Sequence, residues 1–304
     1  MAQDGLLDGK VVLVTGAGRG IGRDLALAAA AAGASVVVND LGATLDGSPS
    51  PTNPAGEVVA AIRAAGGQAI ADGNSVADPA GAEAMVAAAV TGFGRIDGVV
   101  NNAGILRDKM FWKMDFEEWD AVIKVHLYGT YNVSRAAAAR FREQQSGAFL
   151  HITSTAGLVG NVGQANYAAA KLGIVGISRS IALEMGQFNV RSNCVAPFAL
   201  TRMVTSIPGG DSEAFLTKRR KMTAAKVGPL AVFLLADAAR DVSGQIFGAR
   251  GNEIMMMSQP RPVRSIHRGD GWTPETVRDY VLGALRPSLC PLESTMDVFN
   301  TDVI

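Results

Sequence analysis

Short apolar runs alternate with alanine-rich stretches along most of this chain, and the alternation limits the folds open to it. The runs lie at 11–14, 36–38, 99–100, 149–152 and 190–195. Strands that are apolar along their whole length are buried on both faces, and connections long enough to hold a helix favour parallel pairing. The pattern therefore predicts an α/β protein with a doubly wound parallel sheet.

The alternation stops after residue 248, and prolines punctuate the rest of the chain. They stand at 260, 262, 274, 287 and 291. Since a single α/β domain can reach this size, we expect one domain over 1–248 and a C-terminal extension over 249–304. Thr273 stands directly before a proline, which predicts a helix start with Thr273 at the N-cap. Trp272 and Tyr280 predict that the extension packs against the domain.

The composition argues against several classes of function. Lys plus Arg and Asp plus Glu number 28 each, so no net charge draws the chain to nucleic acid or to an anionic membrane. The most apolar stretch, 25–38, is too short to span a bilayer, and we expect no membrane insertion. Two cysteines and three scattered histidines predict neither a disulfide framework nor a metal site. The chain ends resemble neither an export signal nor Ser-Lys-Leu, which predicts a cytoplasmic protein.

A glycine-rich loop follows the first predicted strand, as Thr15-Gly16-Ala17-Gly18-Arg19-Gly20-Ile21-Gly22. Gly16 permits a tight turn, Gly20 lets backbone amides approach a pyrophosphate, and Gly22 allows close packing of helix on strand. The start of the next helix adds partial positive charge. This context predicts a Rossmann fold that binds a dinucleotide; a tight turn that binds nothing is the alternative. The predicted contacts are Gly16, Gly18, Arg19, Gly20, Ile21 and Gly22.

Asp40 ends the second predicted strand, eighteen residues after Gly22. A carboxylate there accepts hydrogen bonds from the adenosine ribose hydroxyls and repels a 2′-phosphate, which favours NAD. Arg19 argues for NADP, because a guanidinium in this loop pairs with a 2′-phosphate. We give Asp40 more weight, since burying its charge against a phosphate costs more than an exposed arginine returns. A helix N-cap without a ligand is the other interpretation of Asp40.

Tyr167 and Lys171 stand four residues apart, so both side chains lie on one helical face, one turn apart. Free tyrosine has a pKa of about 10, so action as a base near neutral pH requires a shift of about three units, or about 4 kcal/mol. The ammonium of Lys171 and the positive charge of an oxidised nicotinamide are the expected sources of that shift. Ser154, thirteen residues upstream of Tyr167, adds a hydroxyl that can hold a substrate oxygen. The three residues predict a redox enzyme acting on an alcohol or a carbonyl.

The glycine loop, Asn101-Asn102-Ala103-Gly104, Ser154 and the Tyr167/Lys171 pair together resemble the short-chain dehydrogenase/reductase family over residues 8–248. A narrower similarity is to the dehydrogenase units of peroxisomal multifunctional enzymes type 2, the 17β-hydroxysteroid dehydrogenase type 4 group, and to their free-standing bacterial relatives. It is carried by Val38-Asn39-Asp40-Leu41-Gly42, Asn74-Ser75-Val76, Val125-His126-Leu127, Gly163-Gln164-Ala165-Asn166-Tyr167 and Trp272-Thr273-Pro274.

This resemblance implies NAD-dependent oxidation of (3R)-3-hydroxyacyl-CoA to 3-oxoacyl-CoA, with 17β-hydroxysteroid oxidation as a second activity. Tyr167 is then the general base, Ser154 holds the reacting oxygen, and Lys171 also binds the nicotinamide ribose. The implied partners are a small-molecule substrate, an acyl-CoA or a steroid, and further copies of the chain. A homodimer or homotetramer would pair through helices near 118–143 and 164–186. The resemblance also implies that the extension helps to shape the substrate cavity.

The same resemblance implies roles for residues outside the two main motifs. Asn102, Ala103 and Gly104 are expected to line the cofactor, Ser75 and Val76 to flank the adenine, and Thr201 to contact the carboxamide. Two further positions depart from the usual pattern of the family.

His126 stands where most members of the family carry an asparagine. It is interpreted as a residue that holds a water or relays a proton, because the pKa of histidine lies near neutrality, or as a satisfied core histidine. Phe198 replaces the glycine of the usual Pro-Gly turn after the sixth strand. A phenylalanine does not reach positive φ cheaply, which leaves the path of the 197–223 loop open.

Two other functions remain open from the sequence. Arg19 and the shared motifs also fit an NADPH-dependent 3-oxoacyl reductase. A non-catalytic dinucleotide-binding sensor is the alternative of another class, and the presence of Ser154, Tyr167 and Lys171 argues against it.

Overall fold

One twisted sheet of eight strands forms the centre of the protein, which we describe from a computed structural model. The structure describes residues 5–48, 52–200, 213, 216–217 and 220–303. The strands are β1 (Val11–Thr15), β2 (Ser35–Asn39), β3 (Gln68–Asp72), β4 (Gly98–Asn101), β5 (Gly147–Ile152), β6 (Val190–Phe198), β7 (Ile246–Arg250) and β8 (Glu253–Met256). Their order in the sheet is β3-β2-β1-β4-β5-β6-β7-β8, with only β8 antiparallel to its neighbour. The predicted doubly wound α/β fold is confirmed.

Helices cover both faces of the sheet. They are α1 (Gly20–Ala31), α2 (Pro54–Ala64), α3 (Pro79–Phe93), α4 (Phe116–Ile123), α5 (Gly129–Gln144), α6 (Thr155–Leu158), α7 (Ala165–Met185), α8 (Gly228–Leu235), α9 (Pro274–Thr276), α10 (Leu282–Leu285) and α11 (Thr295–Val298). Alternate residues of β1 enter opposite cores: Val12 packs with the α1, α2 and α8 side, and Leu13 with the α3 and α5 side. Within the described ranges, no helix has the length and apolarity needed to cross a bilayer.

The sequence analysis missed three strands, the two edge strands β3 and β8 and the strand β7 next to β8. The outermost strand β3 carries exposed positions, and on β8 exposed side chains alternate with half-buried ones. A mixed pattern in so few residues gives little apolar signal. Since β7 ends at Arg250 and β8 pairs with it, the sheet continues past residue 248, the predicted end of the domain. The division into a domain and an extension stays a prediction.

The C-terminal extension begins its helix as predicted, with Thr273 at the N-cap accepting a hydrogen bond from the Thr276 amide. The expectation that the extension packs against the domain stays a prediction, and the exposed fractions of Trp272 and Tyr280 are 40% and 60%. The last residues of the extension contact the domain. The Thr295 amide donates to the Gly160 carbonyl at 2.9 Å. The Phe299 ring packs against Phe198, and the Arg250 guanidinium donates to the Thr301 hydroxyl.

Candidate active site

A cavity of about 350 Å³ opens at the carboxyl ends of the strands. It lies where β1 is flanked by β2 and β4, the point at which the strand order reverses. Doubly wound sheets bind ligands at this point. The cavity brings together most of the predicted site residues: Gly16, Arg19, Gly20, Ile21, Asp40, Ser75, Val76, Asn102, Ala103, Gly104, His126, Ser154, Tyr167 and Lys171. Gly18 and Gly22 belong to the same glycine loop but are not among the residues that line the cavity. Thr201 lies outside the described residues.

The glycine loop has the backbone that a phosphate site requires. Gly16 and Gly20 have φ of 61° and 55°, in the left-handed region that favours glycine. A Cβ atom on Gly22 would lie 2.2 Å from the Gly16 carbonyl oxygen, so helix and loop approach as closely as the sequence predicts. Helix α1 begins at Gly20 without a side-chain cap, which leaves its first amides available to an anion. The loop therefore fits the pyrophosphate of a dinucleotide.

Asp40 lies at the far end of the cavity from Tyr167, beyond β2. Its carboxylate accepts hydrogen bonds from the Gly18 amide and the Gly42 amide, both at 2.8 Å. These bonds fix the carboxylate beside the glycine loop, where the adenosine ribose of a dinucleotide would lie. Arg19 also lines the cavity, and its guanidinium donates to the Thr52 hydroxyl at 2.7 Å.

The loop after β4 is joined to the glycine loop by Thr15 and Asn102. The Thr15 hydroxyl accepts from the amides of Asn102 and Ala103 at 3.0 and 3.1 Å. In return, the Asn102 side chain donates to the carbonyls of Thr15 and Gly16. The Asn102 side-chain amide therefore fixes the glycine loop against the loop after β4, a structural role that the sequence did not indicate.

Ser154, Tyr167 and Lys171 meet on the opposite side of the cavity. Ser154 caps the short helix α6, Tyr167 and Lys171 lie one turn apart on α7, and the Ser154 hydroxyl is hydrogen bonded to Tyr167. The Lys171 ammonium nitrogen lies 5.5 Å from the centre of the Tyr167 ring and donates to the Ile152 carbonyl at 2.6 Å. The Thr153 hydroxyl donates to the Lys171 carbonyl, which ties this turn of the helix to β5.

The protein's own groups keep Tyr167 protonated at neutral pH. Burial raises the pKa of Tyr167 to about 12; the Ser154 hydrogen bond opposes this rise and the Asp108 charge adds to it. Burial also lowers the pKa of Lys171 to about 7. Lys171 alone does not lower the pKa of Tyr167 in the protein, and the lowering expected from Lys171 together with the nicotinium charge of a bound cofactor stays a prediction.

His126 lies on a π-helical turn, Lys124–Tyr128, that joins α4 to α5. Its ring meets the Tyr167 ring edge-on, with 5.2 Å between the centroids. Burial, and then the charge of Lys171, lower the pKa of His126 to about 3, so the expectation of a near-neutral pKa is wrong. His126 Nε2 lies 2.8 Å from the Ile105 carbonyl oxygen and 3.1 Å from the Ile105 amide nitrogen, and Nδ1 has no hydrogen-bond partner among the described residues. The tautomer of the neutral ring decides whether Nδ1 donates or accepts a hydrogen bond.

His151 is a second buried neutral histidine, on β5 behind the site. Its Nδ1 accepts from the Asn101 side chain and its Nε2 contacts the Ser192 hydroxyl, both at 3.1 Å. Burial, and then the charge of Lys171, lower the pKa of His151 to about 3. Protonation would place a donor against the Asn101 amide donor, so the imidazolium is disfavoured in the folded state.

The two histidines predict a loss of stability in mild acid. Unfolding lets both bind protons at their ordinary pKa near 6.5, so their contribution is present above that pH and is lost as the pH falls toward about 3. From about pH 7.5 to about pH 5.5, each costs about 1.4 kcal/mol of unfolding free energy. Urea unfolding of the wild type at both pH values measures their sum together with the contribution of Lys171, whose pKa of about 7 lies in the same range. The variant His151→Asn should reduce the pH-dependent loss by about 1.4 kcal/mol, and an unchanged dependence would contradict this assignment.

The loop after β2 forms a wall of the cavity that the sequence analysis did not predict. Its cavity-lining residues are Leu41, Ala43, Thr44, Leu45 and Gly47. The Leu106 amide donates to the Leu45 carbonyl at 3.0 Å, and Arg107 Nε donates to the Asp46 carbonyl at 3.1 Å. The loop therefore closes over the site by contacts with the loop after β4. The sequence feature that could have indicated this wall is the position of the loop directly after Asp40.

Comparison with known proteins identifies the family. The family model for short chain dehydrogenases matches residues 10–209. The chain belongs to the short-chain dehydrogenase/reductase family, whose members bind a nicotinamide dinucleotide and act on small molecules. The predicted resemblance is confirmed.

Three curated relatives are similar over most of the chain. The hydroxyacyl-CoA dehydrogenase ChsB1 of Mycobacterium tuberculosis is 40% identical, over 91% of this chain and 90% of that protein. The mouse peroxisomal multifunctional enzyme type 2 is 42% identical over 92% of this chain, which matches only 37% of that protein. A 3-oxoacyl-[acyl-carrier-protein] reductase of Synechocystis is 39% identical, over 82% of this chain and 98% of the relative.

Two solved structures share the fold. A short chain dehydrogenase from Mycobacterium avium superposes with a TM-score of 0.83 at 42% identity, covering 95% of this chain and 99% of that one. A 7α-hydroxysteroid dehydrogenase, complexed with NADH and 7-oxo glycochenodeoxycholic acid, superposes with a TM-score of 0.74 at 32% identity. It covers 83% of this chain and 97% of that chain.

Proposed function

We propose that the protein oxidises a secondary alcohol with NAD, most readily (3R)-3-hydroxyacyl-CoA to 3-oxoacyl-CoA, and that 17β-hydroxysteroids are further substrates. The observation that carries the proposal is one cavity with Ser154, Tyr167 and Lys171 at one end and Asp40 at the other. The similarity to ChsB1 supports the acyl-CoA substrate. The similarity to a hydroxysteroid dehydrogenase supports a steroid as the second class.

In this mechanism Tyr167 removes the proton from the substrate hydroxyl while Ser154 holds the same oxygen. Bound NAD supplies the nicotinamide carbon that accepts the hydride and adds positive charge. Lys171, which the phenolate would keep protonated, would stabilise the charge of Tyr167 and would bind the ribose of the cofactor. His126 lies beside Tyr167 as a neutral ring whose Nδ1 donates or accepts a hydrogen bond according to the tautomer, and its lowered pKa disfavours a charged relay at neutral pH.

The substrate class is decided by initial rates of NADH formation with three alcohols. These are (3R)-3-hydroxybutyryl-CoA, a steroid side-chain hydroxyacyl-CoA and 17β-estradiol, each offered with saturating NAD. We expect turnover of at least one CoA ester. Turnover of none of the three would contradict the proposal.

An NADPH-dependent 3-oxoacyl reductase is the second candidate. Arg19 beside the cavity and the similarity to the Synechocystis reductase favour it. It would show as a several-fold preference for NADPH when 3-oxoacyl-CoA is reduced. Any enzymatic turnover would dismiss the non-catalytic sensor. A homodimer or homotetramer and a cytoplasmic location stay predictions.

We also propose that the last residues of the extension shape the substrate end of the cavity. The Thr295 amide is hydrogen bonded to the Gly160 carbonyl, in the loop that follows the short helix α6, which Ser154 caps. The Phe299 ring packs on Phe198, with 4.7 Å between centroids, next to the cavity-lining Pro197 and Ala199.

Truncation after Glu293 removes only this contacting segment. We expect it to raise the KM for the CoA ester about 10-fold, a loss of about 1.4 kcal/mol, with NADH affinity within about 2-fold of wild type. Truncation after Gln259 also removes the more exposed part of the extension, residues 260–293, and should give the same KM. Steady-state kinetics and NADH titration check this. A folded, truncated enzyme with an unchanged KM would overturn the role of the segment.

A further inference from the structure

The first turn of α7, which carries Tyr167, meets the loop after β4 along a seam of hydrogen bonds. The Lys109 amide donates to the Gly163 carbonyl at 2.8 Å, and Gln164 donates to the Asp108 carboxylate at 2.7 Å. The second of these bonds is exposed, so water competes for it and its net contribution is small. The buried part of the seam is Asn166.

Asn166 has an exposed fraction of 0%, and every hydrogen-bonding atom of its side chain has a partner. Its nitrogen donates to the carbonyls of Arg107 and Glu118, both at 3.0 Å. Its oxygen accepts from the backbone amide of Tyr167 at 2.7 Å. One side chain therefore joins the loop after β4, helix α4 and the start of α7.

The Tyr167 amide is one of the first amides of α7, which have no partner inside the helix. The N-cap residue Gln164 makes no side-chain cap, so Asn166 supplies the acceptor that a cap normally provides. At the next turn, Lys171 is held separately by Thr153 and Ile152. Loss of Asn166 would release the Tyr167 end of this turn while leaving the Lys171 end fixed to β5.

Resting on the proposed function, we propose that Asn166 is a positioning residue that fixes the Tyr167 hydroxyl relative to Ser154 and Lys171. Asn166 does not line the cavity, so its effect on the reaction passes through Tyr167. A tilt of the first turn about Lys171 moves the phenol oxygen out of line with the reacting hydroxyl. It leaves the glycine loop and Asp40, at the other end of the cavity, where they are. The loss of Asn166 should thus appear in kcat rather than in cofactor binding.

The test is Asn166→Ala, assayed with the CoA ester that the wild type oxidises. We expect kcat to fall about 10- to 100-fold, since a misplacement of about 1 Å costs up to that much. The Kd for NADH, from fluorescence titration, should stay within about 2-fold. Asn166→Ser keeps an acceptor near the Tyr167 amide, so its kcat should fall less than that of Asn166→Ala. The serine variant replaces the alanine variant in the test if the latter does not fold.

Asn193→Ala is the matched control. Asn193 is also a buried asparagine, donating to the Val242 carbonyl at 2.8 Å and accepting from the Gln245 amide at 3.0 Å, away from the cavity. It should lower Tm comparably and keep kcat within about 2-fold. A wild-type kcat in Asn166→Ala or in the serine variant, or an equal loss of kcat in Asn193→Ala, would overturn this inference alone. A wild type inert towards all three alcohols would overturn the proposed function and this inference with it.

Discussion

Replacing Tyr167 by phenylalanine should reduce kcat at least about 10³-fold, the upper range for loss of a general base. The change removes only the hydroxyl. The ring remains to meet His126 edge-on, at the present 5.2 Å between centroids, so the shape of the cavity is kept. Because the glycine loop and Asp40 are unaffected, NADH should bind with wild-type affinity. The measurement is kcat for the CoA ester together with NADH titration and thermal unfolding.

Tyr131→Phe is the control for this experiment. Tyr131 lies on α5 with 56% of its surface exposed and outside the cavity, so the same chemical change should leave kcat unchanged. A Tyr167→Phe enzyme that keeps more than about a tenth of wild-type kcat would be inconsistent with a general base at this position.

Replacing Asp40 by alanine should change the choice of cofactor. The carboxylate presents a charged acceptor to the ribose hydroxyls, and such a bond contributes about 1.5–3 kcal/mol. Its removal also ends the repulsion of a 2′-phosphate, while Arg19 remains to pair with it. We therefore expect the ratio of kcat/KM for NAD to that for NADP to fall about 100-fold, or about 2.7 kcal/mol.

Two further variants test whether the charge of Asp40, and its position in the loop, set the choice of cofactor. Asp40→Asn keeps the volume and one acceptor oxygen but removes the charge, so it should shift the ratio in the same direction. Asp46→Ala removes a carboxylate from the same loop that does not line the cavity, and should leave the ratio unchanged. An unchanged preference in both Asp40 variants would refute the assignment of NAD specificity to this residue.

Local spacing predicted the chemical core of the site. A four-residue offset places Tyr167 and Lys171 on one helical face whatever surrounds them, and glycines at 16 and 20 mark a backbone that other residues avoid. These features depend on neighbours in the sequence, so the structure adds only distances to them.

Burial and long-range contact were not predictable in the same way. The pKa of Tyr167 rises because the surrounding fold removes water from it, and the pKa of His126 falls for the same reason. The wall formed by the loop after β2 depends on its contact with Leu106, far along the chain.

The role of Asn166 also required the structure. Asparagine before a tyrosine carries no local signal, and its three partners are spread over residues 107, 118 and 167. Only the packing of α4 and α7 against the loop after β4 brings these backbone groups together. The residues that hold a catalytic group in place are thus less visible in a sequence than the group itself.

The most direct test of the account is the kcat/KM of the wild-type enzyme for oxidation of (3R)-3-hydroxybutyryl-CoA with NAD and with NADP. The arrangement of Asp40, Ser154, Tyr167 and Lys171 predicts NADH formation, with NAD preferred by about 100-fold. A preference for NADP would contradict the proposed function, and so would the absence of oxidation, with either cofactor, of this ester and of the other two alcohols.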